Sequence, residues 1–423
     1  MFTLIKNICR MVSRNERKVV LENAFFLSTF QGINYLLPII ILPYIIRVIG
    51  PEKFGLIAFA QSFVQYFMIL TDYGFNFSAT REISLCREQK NKVCAIFSSV
   101  MIIKITLALV SFLILILVLR FIPKFKNDWL LYIFSFGTVI GNTLFPVWFF
   151  QGTEKMKYIS GFNILAGVIY ALGIFIFVKS PADYLHIPLI NSLVYLVTGI
   201  LGLCVVFRKF NLTFVLPIYT DIKRQLKSGW NIFSSMVAIN AYTTTRIFAV
   251  GLLTNNTLTG YYSIAEKIAN VMQTFPLASF SQAIYPRLSK IFLKNKNKAA
   301  KLMYRIQNVT TAGFVISLPI IFFIAPWIVR IICGADYKEV IIALRLLLVS
   351  VFFVGANAFK VQFLLVSGKT DIYAKIHALM AVLGLPLIFL SIYSFSYLGA
   401  AVSTIIIEAG IFALTFQAIK NLL

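Results

Sequence analysis

Stretches of about twenty apolar residues, recurring along almost the whole chain, constrain this sequence more than anything else in it. A helix that crosses a bilayer needs about 20 mainly apolar residues, and such stretches occur at 23–46, 54–76, 93–119, 129–150, 158–178 and 187–207. Six more follow at 230–252, 260–285, 306–329, 340–366, 374–394 and 396–419. Twelve segments in 423 residues leave no length for a globular extramembrane domain. Composition agrees: the chain is 59% hydrophobic and 13% charged, more apolar than a water-soluble body could cover with polar surface. The expected fold is therefore an all-α polytopic membrane protein.

The longest internal connections are 208–229 and 286–305, and the first falls at the midpoint. It divides the chain into an N-terminal lobe at 1–207, a cytoplasmic linker at 208–229 and a C-terminal lobe at 230–423. The halves echo each other weakly, as Asn23-Ala24-Phe25-Phe26 against Asn231-Ile232-Phe233, and Phe54-Gly55-Leu56 against Thr259-Gly260-Tyr261. Six spans per half predict same-orientation repeats about a pseudo-two-fold axis along the membrane normal, with a binding site between them near the midplane.

A net charge of +24 on so apolar a chain could denote nucleic acid, anionic lipid, an anionic substrate or membrane orientation. Position along the chain decides. Twenty-six of the 39 Lys and Arg fall in the two tails and one set of alternating connections, and 8 fall in the other set. The positive-inside bias places the 26, and both termini, in the cytoplasm. Nucleic acid is then not an expected partner.

Catalytic and metal chemistry find little support. The five cysteines are scattered with no C-x-x-C pair, and His186 and His377 read as loop or interface histidines. No metal site and no cofactor are expected. Ser367-Gly368-Lys369-Thr370 ends like a phosphate-binding loop, but Phe363 stands where that loop needs its first Gly. The basic N-terminus lacks a cleavage site and is read as a tail rather than a signal. The chain is not expected to be an enzyme.

Charges inside the spans are costly, at least about 2.5–3.5 kcal/mol each at the bilayer centre on insertion scales, and imply a wet cavity, a partner or snorkelling. The cations are Lys104, Arg246, Lys267, Arg345 and Lys360, and the acids are Asp72, Glu266 and Glu408. Lys104, about eleven residues from the inner end of its span, is too deep to snorkel, and Asp72 is placed near an inner end. Glu408 is either an interhelical partner for a cation or a proton carrier. The span at 230–252 is unusually polar (Asn231, Ser234, Ser235, Asn240, Thr243, Thr244, Thr245) and should line an interior, while Pro38, Pro43 and Pro276 can kink their helices.

Several segments together resemble the polysaccharide transporter branch of the multidrug/oligosaccharidyl-lipid/polysaccharide exporter superfamily, of the Wzx type. They are Leu42-Pro43-Tyr44 through Gly50-Pro51-Glu52-Lys53-Phe54-Gly55, Thr71-Asp72-Tyr73-Gly74-Phe75 with Ala79-Thr80-Arg81-Glu82, and Trp148-Phe149-Phe150-Gln151-Gly152. Gly260-Tyr261-Tyr262-Ser263-Ile264-Ala265-Glu266-Lys267 and Tyr285-Pro286-Arg287 follow in the same order. The resemblance implies two six-helix lobes with alternating access in the bacterial inner membrane. The cargo would be an undecaprenyl-pyrophosphate-linked O-antigen repeat unit, or a related surface polysaccharide unit, moved from the cytoplasmic to the periplasmic leaflet. It further implies membrane lipids as partners, H⁺ or Na⁺ as a coupling ion, and contact with polysaccharide polymerase machinery. Arg47 and Arg246 are the expected cationic lining for the pyrophosphate, with Lys104, Lys267 and Lys360 secondary; Glu408, Asp72 and Glu266 are the coupling carboxylates. A cation-coupled multidrug exporter of the same superfamily is the alternative, though five intramembrane cations against three acids favour an anionic cargo. A membrane-embedded glycan polymerase is a further alternative, weakened by outer connections of only about ten residues.

Overall fold

The structure, a computed structural model, describes residues 14–422, apart from the side chains of 14–36, 38, 39, 275, 276, 278–283, 285–287 and 290. Lys6 and Arg10 lie outside the described residues, as do the side chains of Asn23, Pro38, Pro276 and Arg287. All regular structure among the described residues is helical. The helices are α1 Arg14–Asp72, α2 Phe75–Leu85, α3 Lys90–Phe121, α4 Pro123–Lys126, α5 Trp129–Leu144, α6 Val147–Gly152, α7 Met156–Phe177 and α8 His186–Lys209. They continue as α9 Tyr219–Thr243, α10 Thr245–Leu253, α11 Asn256–Lys294, α12 Lys296–Cys333, α13 Lys338–Val366, α14 Thr370–Phe395 and α15 Tyr397–Leu422. Nine described helical stretches are long and apolar enough to cross a bilayer, ten when α9 and α10, bent by 44°, count as one.

Local chemistry sets the breaks. Gly50, at φ 74° and ψ 168°, interrupts α1 in a conformation that a side chain would disfavour. Pro43, a predicted kink, lies in the same helix without a break of its own. Pro146 separates α5 from α6, because it cannot donate to the carbonyl four residues back. Asn255 and Asn295 cap α11 and α12, each side-chain oxygen accepting a backbone N–H at 2.9 Å.

The chain forms two compact units, one of residues up to Ile49 with Ala60–Val237, the other of Gly50–Phe59 with Ala238–Leu423. The first unit packs α5 on α8 and α2 on α6. At one end it has a core of Phe75, Phe97, Trp148, Phe149, Phe150 and Val206. The second unit packs α13 against α11, α12 and α15, and α14 against α15. Gly50–Phe59 joins it through a close approach of backbones: a Cβ on Gly55 would overlap the Asn256 carbonyl and the Gly260 backbone, and one on Gly260 would overlap the Pro51 carbonyl. The two echoing motifs of the sequence thus meet glycine to glycine.

Candidate functional site

In the first unit, Lys104 Nζ lies 3.2 Å from Asp72 Oδ1, with the lysine side chain only 1% exposed. Asn76 and Asn142 each donate to the same carboxylate, at 3.4 and 3.3 Å. The sequence places Asp72 near an inner end and Lys104 deep, which would keep them apart. The structure resolves this because α2 prolongs the crossing by eleven residues beyond the break at Tyr73 and Gly74. Asp72 is then about 20 Å from the end at Leu85, and Lys104 about 21 Å from the start of α3 at Lys90, at 1.5 Å per residue. Lys104 Nζ also donates to the Asn142 carbonyl at 3.4 Å, the carbonyl left without its helical partner by Pro146.

The second unit holds a larger cluster. Arg246 donates from Nη1 to Thr404 Oγ1 at 2.8 Å and from Nε to the Thr243 carbonyl at 3.2 Å. Its Nη2 stands 3.5 Å from Glu266 Oε1. Tyr262 donates to the same Glu266 oxygen at 3.3 Å. Glu408, one turn beyond Thr404 on α15, acts electrostatically on Arg246 and on Tyr242 and Tyr373. Tyr242 and His377 Nδ1 share a hydrogen bond of 2.7 Å. Lys104 thus takes up a backbone carbonyl freed by Pro146, and Arg246 a carbonyl beside the α9–α10 bend.

The remaining candidate cations make other contacts. Lys360 Nζ donates to the Ala356 carbonyl at 3.1 Å and stands 4.1 Å from the Phe412 ring centroid and 5.3 Å from that of Phe416. Lys267 lies 6.0 Å from the Phe54 centroid, and Arg345 caps the Phe322 ring at 4.7 Å while donating to the Phe322 carbonyl. Arg47 is exposed, three residues ahead of Gly50, in the first unit. Asn76, Asn142, Tyr242 and Thr404 are not singled out in the sequence, although Asn142 stands out as a polar residue four positions before a proline. Tyr262 appears there only within a family-like stretch, and His377, read as a loop or interface histidine, pairs with Tyr242. Among the described residues no three His, Cys, Asp or Glu side chains gather as a metal site.

The sequence pattern of a family described as "Polysaccharide biosynthesis protein" matches residues 20–292. A protein named "Putative O-antigen transporter" from Escherichia coli (strain K12) is 31% identical over 411 residues, 96% of this chain and 98% of its own length. One of the same name from Shigella dysenteriae is 27% identical over 402 residues, 94% and 100% of the two chains. Among solved structures, "Lipid II flippase MurJ, inward closed conformation" gives a TM-score of 0.74 at 11% identity, covering 95% of this chain and 87% of that one. An inward-facing multidrug resistance MATE family transporter of the MOP superfamily gives 0.74 at 14% identity, covering 92% and 95%. At these identities the structural likeness concerns the fold alone, and the all-α polytopic architecture expected from the sequence holds.

Proposed function

The chain belongs to the polysaccharide biosynthesis protein family, and from that premise we propose that it is a flippase carrying lipid-pyrophosphate-linked O-antigen or related repeat units from the cytoplasmic to the periplasmic leaflet of a bacterial inner membrane. The observation that carries this reading is the 31% identity, over 96% of the chain, to the Escherichia coli protein named "Putative O-antigen transporter". It acts by positioning and electrostatics, without covalent chemistry.

Arg246 is the residue best suited to meet a pyrophosphate. Its partners Thr404, Thr243 and Glu266 use three of the five N–H donors of a guanidinium, whose planar fork matches phosphate oxygens. In a site poor in water the attraction between that cation and an anion is far stronger than in solution. Glu266 competes with the cargo for the same nitrogens. Protonating Glu266 removes that competition and favours loading, while deprotonation favours release, so proton binding and cargo binding are linked through one guanidinium. Lys104, already neutralised by Asp72, belongs to the scaffold more than to the cargo site.

The test is a strain lacking the gene, examined for lipid-linked glycan retained on the cytoplasmic face and for lost surface glycan. The intact gene is expected to restore display, whereas Arg246→Ala fails to restore it although the variant reaches the membrane. Normal display in the deletion strain overturns the flippase reading, and normal display with Arg246→Ala overturns the role of that arginine.

A further inference from the structure

The connection between α8 and α9 is chemically odd for a loop in water. From Phe214 to Tyr219 it reads Phe-Val-Leu-Pro-Ile-Tyr, and its side chains point outward: Phe214 is 49% exposed, Leu216 82%, Ile218 69% and Tyr219 73%. Connections that face water are built from polar and turn-forming residues.

This segment is held in a definite place. Leu212 is buried in the first unit's aromatic core, and the Val215 amide donates to Ser98 Oγ at 3.0 Å. Ser98 stands eight residues into α3, so the loop doubles back about 12 Å along that helix from its first residue. Val215 therefore lies beside the start of the apolar run at 93–119. Beyond it, Ile222 and Leu226 of α9 pack on the same core, while Lys223, Lys227 and Trp230 face outward. Arg208 and Lys209 are exposed on the other flank, in the last turn of α8. The acid beside them, Asp221, is already taken by Arg224 at 3.2 Å. An outward apolar strip is therefore bracketed by four cations, the charge pattern of an element that lies on an anionic bilayer surface.

We propose that residues 208–230 form a lipid-binding element, with Phe214, Leu216, Ile218 and Tyr219 inserted at the membrane boundary and Arg208, Lys209, Lys223 and Lys227 holding anionic phospholipid headgroups. The element is independent of the cargo and would act whatever glycan is carried.

Two measurements on the full chain in nanodiscs containing phosphatidylglycerol test it. A nitroxide at Leu216→Cys, in an otherwise cysteine-free chain, is expected to be accessible to oxygen and shielded from a water-soluble nickel chelate, with Lys223→Cys showing the reverse. Nickel access at Leu216→Cys equal to that at Lys223→Cys overturns the insertion. Spin-labelled phosphatidylglycerol should associate with the wild-type chain several-fold more strongly than spin-labelled phosphatidylcholine. That preference is expected to fall about fivefold with Lys223→Gln and Lys227→Gln together, and to fall likewise in high salt. A preference unchanged in both the variant and high salt overturns the headgroup contact. Lys223→Gln alone, read in the same way, decides the point where the double variant folds poorly.

Discussion

At the scale of single residues, Lys104 and Arg246 take partners beside helix breaks. Lys104 serves Asp72 and the carbonyl freed by Pro146 at once. Lys104→Ala is therefore expected to lower stability by about 2 kcal/mol, because the part-buried Asp72 carboxylate loses its counter-charge and keeps only the Asn76 and Asn142 donors, while Lys104→Met with Asp72→Leu recovers most of the loss. The thermal midpoint of the solubilised protein measures both, and equal losses in single and double variants would refute the pairing. Abundance of the Lys104→Ala variant in the membrane is expected to fall with its stability. For Arg246, Lys keeps the charge but not the fork, and Arg246→Lys is expected to reduce display of the glycan on the order of tenfold with little change in abundance. The charges themselves were legible in the sequence as polar outliers in apolar runs. Their partners were not, because the depth of Asp72 depends on α2 prolonging its crossing beyond a glycine break, and the Thr243 carbonyl is released by a bend that no proline announces.

At the scale of elements, two glycines decide how α1 meets α11. Backbone lies where the methyl of Gly55→Ala or Gly260→Ala would go, so neither change can be absorbed by turning a side chain. Each is expected to cost several times the roughly 1 kcal/mol of placing Ala at Gly50, where strain is local and no atom lies within 4 Å. Relative yields of monodisperse protein would order the three variants, and a Gly50→Ala yield below that of Gly55→Ala would contradict the packing. A different device opens the ladder of α13. The Gln307 amide donates to the Gly355 carbonyl at 2.9 Å and accepts from the Phe359 N–H at 3.0 Å, standing between two groups that would otherwise bond each other. Gln307→Leu is expected to lower the thermal midpoint by an amount equivalent to about 1–3 kcal/mol if the ladder cannot close over it; an unchanged midpoint would show that it closes. The weak echo between Phe54-Gly55 and Thr259-Gly260 pointed to the contact partners, although it gave no sign that they touch.

At the scale of the whole molecule, runs of about twenty apolar residues located the long helices, since 1.5 Å per residue and a fixed bilayer thickness leave few solutions, but not the short α2, α4 and α6 beside them. The orientation proposed from the distribution of 26 and 8 cations can be checked by fusions: a fluorescent protein after Lys420 should light up in the cytoplasm, and alkaline phosphatase joined after Lys126 should be active outside. Opposite results would invert the topology and, with it, the direction of transport. The approach of Gly55 to Gly260 also carries a consequence for synthesis. The two positions are separated by about two hundred residues, and at roughly 5–20 residues per second the ribosome needs about 10–40 s between them. Throughout that interval the glycine face of Gly50–Phe59 has no mate in the nascent chain, so the insertion machinery or lipid must shelter it until the second half arrives.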